Sequence, residues 1–212
     1  MTDQLILYTN PQSRGRIARW MLEEVGATYD VEVLDYASTM KGEAYRAINP
    51  MGKVPAIVHG GKVVTECAAI CAYLAEAYPE AGLAPLPEER ADYYRWLFYA
   101  AGPVEQAATN QAAAFVSAED KSRMFGYGTY DLVVEVLDEL LSSRPYVTGE
   151  RFTAADVYLG SQIGWLTRFG MLPKRDSFMA YVERVQSREA YKRAWAMDDA
   201  LVAELQPAAE PA

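Results

Sequence analysis

The chain has 212 residues, 51% of them hydrophobic, and a formal net charge of −9. That length supports one large domain or two small ones with a real core, and the apolar share excludes a disordered chain. The acidic balance, with no run of Lys and Arg to override it, argues against nucleic acid or anionic lipid as partners, and no apolar run approaches the length of a membrane span.

The opening residues Met1-Thr2-Asp3-Gln4 lack the basic leader of a signal peptide, so a cytoplasmic location is expected. Leu5 to Tyr8 reads as a short strand and Thr9-Asn10-Pro11-Gln12 as a turn. Ser13 can then cap a helix running to Val25, with Gly26 as its stop. Ile17, Trp20, Met21 and Val25 recur at helical spacing and should face the core. Tyr29 to Leu34 alternates like a second strand, which completes a βαβ unit. Lys41 to Ile48 is expected to be a short irregular helix. Val54 to Val58 and Lys62 to Val64 form a hairpin, and Glu66 to Tyr78 a second long helix. His59, the only histidine, reads as a solvated turn residue, and without a second one a metal site or a His-dependent hydrolase is disfavoured. Cys67 and Cys71 lie four apart on one helix face, a spacing that makes neither a disulfide framework nor a zinc site and fits a reducing compartment.

Pro79, Pro85 and Pro87 mark a linker over residues 80–87. It separates a first domain, 1–79, from a second, 88–212, in which no strand pattern is found. Helices are expected over Glu88 to Gln111, Ala118 to Ser142, Ala154 to Phe169, Ser177 to Gln186 and Glu189 to Leu205, followed by a frayed tail from Gln206. Thr153-Ala154-Ala155-Asp156 has the form of a capping box with Asp in place of Glu, and Phe152 is placed to staple onto Val157. Its role is read as helix nucleation, and Thr153→Ala should cost about 1 kcal/mol.

The stretch with most chemistry in it is Asn49-Pro50-Met51-Gly52-Lys53-Val54-Pro55-Ala56-Ile57, followed by Glu66-Cys67. Pro55 stands where a strand should begin and cannot donate to a ladder, and the Val54–Pro55 bond is a candidate for cis. The N–H and C=O of Val54 could then pair with a peptide-like ligand. This stretch resembles the glutathione-binding loop of glutathione transferases, usually N-P-x-G-x-V-P followed by E-S, and the resemblance runs along nearly the whole chain. It implies a thioredoxin-like α/β N-terminal domain, an all-α C-terminal domain contributing the electrophile site, and a homodimer. It also implies glutathione as cosubstrate, no metal, and conjugation to an apolar electrophilic small molecule, as in detoxification. A noncatalytic regulatory or interaction protein of the same fold stays open, as does a glutathione-dependent isomerase, dehalogenase or ether-cleaving lyase.

Carried onto this sequence, the resemblance assigns the middle of glutathione to Val54 and Pro55 and the γ-glutamyl end to Glu66 and Cys67. Cys67 stands where the family usually has Ser; it is read either as a small buried residue or as a thiol able to form a mixed disulfide. Lys41 and Lys53 are candidates for the glycyl carboxylate, with an ordinary solvated lysine as the alternative for each. The thiol activator is sought among Tyr8, Thr9, Asn10, Gln12 and Ser13. Ser13 leads, aided by free N–H groups of the first helical turn, with its role as helix cap competing for the same hydroxyl, and Gln12 and Tyr8 follow. The aromatic richness around Tyr93, Tyr94, Trp96, Phe98 and Tyr99, with the Gly102-Pro103 break, suits an apolar second substrate, with core packing at helical spacing as the alternative for each of them and none assigned as a ligand contact.

Overall fold

The computed structural model describes residues 4–115 and 119–205. The chain forms two compact units, Met1–Ala81 with Arg188–Ala212, and Gly82–Ser187. In the first unit a mixed four-stranded sheet has the order β2-β1-β3-β4, built from β1 (Leu5–Thr9), β2 (Asp30–Val33), β3 (Ala56–His59) and β4 (Lys62–Thr65). β1 runs parallel to β2 with Thr9 opposite Val33, and antiparallel to β3 with Tyr8 opposite Ala56. Ala56 in turn faces Thr65. One edge of the sheet therefore gathers the carboxyl ends of β1, β2 and β4 with the head of β3.

α1 (Gly15–Val25) packs on β1 and on α3 (Cys67–Ala77). Its apolar residues Ile17, Trp20, Met21 and Val25 are buried, and Gly26 ends it in the left-handed region at φ 66°. On the segment expected to be irregular, a 3₁₀ turn at Thr39–Lys41 leads into the one-turn α2 (Glu43–Arg46). Tyr45 and Met40 form a small cluster there with Leu34 and Ala56, bordered by Tyr8, Ile48 and Val54.

His59 departs from its expected role. It ends β3, its ring stacks on Tyr78 at 5.9 Å, and its Nδ1 lies 3.0 Å from the Tyr73 hydroxyl. The turn itself is Gly60-Gly61, both at positive φ, which is the glycine signature of a two-residue hairpin.

α9 (Glu189–Leu205) packs along α1 in this first unit. Arg19 Nε donates to Asp198 Oδ1 at 2.9 Å with both side chains buried, and Arg188 meets Glu24 with two bonds of 2.7 Å. Arg16 bonds Asp199 at 2.8 Å and lies 4.4 Å over the Trp195 ring. Arg193 bonds Glu23 at 3.1 Å.

The second unit is helical among its described residues: α4 (Arg90–Tyr99), α5 (Glu105–Ala112), α6 (Tyr130–Ser143), α7 (Ala154–Arg168) and α8 (Asp176–Gln186). The single helix expected over 88–111 is divided by a π-helical segment, Ala100–Val104. Pro103 lies within it; proline has no N–H to donate and crowds the preceding turn, and the wider π turn accommodates it. The expected start at Ala118 lies outside the described residues, as does the tail 206–212; from Glu119 to Met124 the chain forms a 3₁₀ segment before α6 begins.

The capping box at α7 is present and does more than cap. Asp156 Oδ2 accepts from the Thr153 N–H at 2.9 Å and hydroxyl at 3.0 Å. Oδ1 accepts from the Val147 N–H at 2.8 Å and the Tyr181 hydroxyl at 3.0 Å, so one fully buried carboxyl ties α7 to α8 and to the loop before it. Arg151 bonds Glu89, the Gly82 carbonyl and the Ala84 carbonyl, fastening the proline-rich stretch.

Candidate functional site

Two Asn-Pro turns shape the edge where β1, β2 and β4 end and β3 begins. In the first, Asn10 Oδ1 accepts from the Gln12 N–H at 3.0 Å, and the Asn10 carbonyl accepts from the Ser13 N–H at 3.0 Å. In the second, Asn49 Oδ1 accepts from the Met51 N–H at 3.1 Å, and its carbonyl accepts from the Gly52 N–H at 2.8 Å. Asparagine followed by proline is suited to this turn, because the side chain mimics a backbone acceptor and the proline fixes φ. Each amide also reaches a neighbouring segment: Asn10 Nδ2 donates to the Leu34 carbonyl and Asn49 Nδ2 to the Lys53 carbonyl, both at 2.8 Å.

Ser13 sits buried after the first turn, 8% exposed. Its Oγ lies 2.6 Å from the Asn10 carbonyl oxygen and 2.9 Å from the Gly15 amide nitrogen. A carbonyl can only accept and an amide N–H can only donate, so the hydroxyl proton points to Asn10. The residue that precedes α1 is Arg14, whose side chain makes no capping bond, and Ser13, one place earlier, takes the Gly15 N–H on its Oγ. The expectation of free N–H groups in the first turn is corrected: Gly15 donates to Ser13 Oγ, Arg16 to the Ser13 carbonyl at 3.3 Å and Ile17 to the Arg14 carbonyl at 3.0 Å. Beside them Thr9 Oγ1 is buried without a hydrogen-bond partner among the described residues. Tyr8 packs against Tyr45, and burial together with the Glu32 carboxylate raises its pKa, so it stays a neutral phenol.

The second turn feeds into β3 through a loop held from below. The Tyr45 hydroxyl and Asn49 Nδ2 both donate to the Lys53 carbonyl, at 2.6 and 2.8 Å. Lys41 Nζ donates to the Gly52 carbonyl at 2.5 Å. Gly52 has φ +56°, and a Cβ there would stand 2.9 Å from the Met40 carbonyl oxygen, so the position admits only glycine. The Val54–Pro55 bond is cis. Among the described residues, neither the N–H nor the C=O of Val54 has a hydrogen-bond partner.

Glu66 precedes α3 with φ 65° and ψ 118°, a backbone conformation that a residue with a Cβ rarely adopts, and its side chain is exposed. Cys67 opens α3, nearly buried, with its Sγ 3.5 Å from the Arg14 carbonyl. That contact joins the start of α3 to the start of α1. Cys71, one turn on, is fully buried, and burial pushes its thiol well above the usual range.

The predicted residues thus gather along one sheet edge: Ser13 after β1, Lys41 on the Gly52 carbonyl, Lys53, Val54 and Pro55 at the head of β3, and Glu66 and Cys67 after β4. Lys53 is exposed, whereas the ammonium group of Lys41 is engaged by the Gly52 carbonyl. Asn10, Asn49 and Tyr45 are the supports that sequence reasoning did not assign. The signal for the first two was present, since each is an Asn directly before Pro.

Residues 14–77 match the family of glutathione S-transferase N-terminal domains, and residues 117–189 match the glutathione S-transferase C-terminal domains. The chain is 27% identical over 188 residues to glutathione S-transferase GstA of Escherichia coli O157:H7, covering 86% of this chain and 92% of that protein. Its fold is similar to a glutathione transferase from Methylococcus capsulatus, with a TM-score of 0.74, 26% identity, and coverage of 92% and 99% of the two chains. It is also similar to a theta-class glutathione S-transferase from Xanthomonas axonopodis pv. citri with glutathione bound, at a TM-score of 0.71, 27% identity, and coverage of 91% and 97%. A four-stranded thioredoxin-like domain and a helical domain are the architecture shared with these glutathione transferases. The chain belongs to the glutathione S-transferase family, and its enzyme class is glutathione transferase.

Proposed function

We propose that this chain binds glutathione along the edge formed by Val54 and the start of α3, and transfers it as a thiolate to an apolar electrophilic small molecule. The thiol proton leaves to solvent, the sulfur forms a bond to carbon, and the leaving group departs with its electron pair. The enzyme acts as a homodimer in the cytoplasm. The observation that carries the reading is Val54, whose N–H and C=O are both unpaired among the described residues, a donor and an acceptor side by side on an edge where the chain matches its family. A peptide backbone satisfies both at once. Glu66 takes the ligand's ammonium group, the first turn of α3 takes the γ-glutamyl carboxylate, and Lys53, with Lys41 behind it, neutralises the glycyl end. Cys67 keeps that turn packed against Arg14.

Ser13 is the thiol activator in this reading. Its proton must swing from the Asn10 carbonyl to the sulfur, exchanging a neutral hydrogen bond of about 1 kcal/mol for a charge-assisted one of roughly 1.5–3 kcal/mol. The gain of about 0.5–2 kcal/mol lowers the thiol pKa by roughly one unit, and the N-terminal dipole of α1 adds about 0.3–1 kcal/mol. The test is the ultraviolet thiolate difference spectrum of glutathione bound to wild type and to Ser13→Ala. The thiol pKa should rise by about one unit in the variant. Saturable binding with an unmoved pKa removes Ser13 from the role, and no saturable binding in either protein removes the transferase reading.

A further inference from the structure

We propose that Asn10 is a positioning residue for thiol activation, acting through Ser13; this rests on the role proposed above for Ser13. Asn10 is 7% exposed and uses both ends of its side chain. Nδ2 donates to the Leu34 carbonyl at 2.8 Å, while the Leu34 N–H donates to the Thr9 carbonyl at 2.8 Å. Those two bonds clamp the end of β1 to the end of β2. Oδ1 takes the Gln12 N–H, on the residue just before Ser13. The Asn10 carbonyl then takes both the Ser13 N–H and the Ser13 hydroxyl. The side chain thereby fixes the carbonyl to which the Ser13 proton is directed.

The second Asn-Pro turn is an internal control. Asn49 makes the same side-chain bond to the residue two places on and the same carbonyl bond to the N–H three places on. At that third place stands Gly52, which has no hydroxyl to donate. The turn therefore closes without one, and the Ser13 hydroxyl is surplus to it. At 2.6 Å it is held against the Asn10 carbonyl, which keeps the Ser13 N–H when the hydroxyl departs. The swing to sulfur leaves no bare acceptor behind. The proton lost by glutathione goes to solvent, and Ser13 retains its own. A carbonyl fixed to β2 through Leu34 makes the resting end of that swing a defined position, and loosening it scatters the hydroxyl over directions from which it does not meet the sulfur.

The test is a thiolate titration of the bound glutathione, on the full chain, in wild type, Asn10→Ala, Ser13→Ala and the double variant. Asn10→Ala should raise the thiol pKa by about half a unit to one unit, a loss of roughly three- to tenfold in thiolate at pH 7. In the Ser13→Ala background the same substitution should add nothing, because the residue through which it acts is gone. A rise of equal size in both backgrounds overturns the proposal and makes Asn10 a purely structural support. So does an unmoved pKa in Asn10→Ala when Ser13→Ala raises it. If Ser13→Ala itself leaves the pKa unmoved, the activator reading fails first and this inference with it, so the two failures are distinct. Asn10→Ser provides the same readout should the alanine variant not fold: its shorter hydroxyl keeps an acceptor for the Gln12 N–H, does not reach the Leu34 carbonyl, and adds no charge near the sulfur.

Discussion

Gly15→Ala tests how closely the end of β1 and the start of α1 are fitted. Gly15 is the first residue of a helix, where alanine is intrinsically better by up to about 1 kcal/mol. Its backbone does not require glycine: no positive φ is recorded there. What forbids a side chain is space, because an added Cβ would stand 1.9 Å from Thr9 Oγ1, 3.0 Å from Ser13 Oγ and 3.1 Å from Thr9 Cβ. The nearest atom belongs to a short, fully buried side chain on a strand, with no flexible stem to swing away. Overpacking of this kind costs about 1–3 kcal/mol, against the propensity gain. Thr9→Ala should relieve most of it, leaving the approaches of 3.0 Å to Ser13 Oγ and 3.1 Å to the Cβ of residue 9. Thr9 Oγ1 has no hydrogen-bond partner among the described residues, so its removal forfeits mainly the burial of one methyl, about 1 kcal/mol. The double variant should then be nearly as stable as Thr9→Ala alone, with a coupling of about 1–3 kcal/mol. Urea unfolding of the four proteins measures it. Gly15→Ala as stable as wild type, or destabilisations that simply add, would refute the reasoning.

Burial lifts Asp156 from the ordinary 3.8 to about 6, so the folded state holds its proton more tightly than the unfolded chain. The stability this contributes is present below about pH 4 and is lost as pH rises to about 6. The difference in unfolding free energy between wild type and Asp156→Asn should therefore shrink by about 2.5 kcal/mol between pH 4 and pH 7, and a pH-independent difference would sink the account. Asp198→Ala should cost about 3–5 kcal/mol in urea unfolding, since it strands the buried Arg19 guanidinium, whereas Arg19→Met with Asp198→Leu should recover most of it. Glu66→Gly should gain up to about 1 kcal/mol in stability by relieving the positive φ, while weakening glutathione binding measured by calorimetry. Binding unchanged in that variant would take Glu66 out of the site.

Local patterns carried many elements of both units well. The stop at Gly26, the hairpin, the long helices and the Thr153–Asp156 box are all written in residues near one another in sequence, where turn chemistry and periodicity act. What the patterns did not carry depends on partners far along the chain. His59 looked like a turn residue because two glycines follow it; pairing with Leu5 and Lys62 places it in β3, and Tyr73 and Tyr78 engage its ring. Pro103 was legible as a break, but not as a π turn. The candidate site was legible as a set of residues because Asn49 to Pro55 and Glu66-Cys67 flank one hairpin. The direction of the Ser13 proton was not legible, because it depends on how Asn10 is held by Leu34.

The pairing of α9 with α1 shows the same limit and also what signal was available. Going up α1, Arg16, Arg19, Glu23 and Glu24 meet Asp199, Asp198, Arg193 and Arg188, so the two helices run antiparallel. α1 therefore has cations near its N-terminus and anions near its C-terminus, the reverse of what the helix dipole favours. Most of the charge on α9 is reversed in the same way, with Lys192 and Arg193 early and Asp198 and Asp199 late. An isolated helix gains nothing from such an order. Two antiparallel helices that both carry it match at every level. Exposed pairs such as Arg193–Glu23 are worth little singly, so the buried Arg19–Asp198 pair fixes the register and the others exclude alternatives. A helix whose charges oppose its own dipole is thus a sign, readable in the sequence, that its partner is another helix running the opposite way.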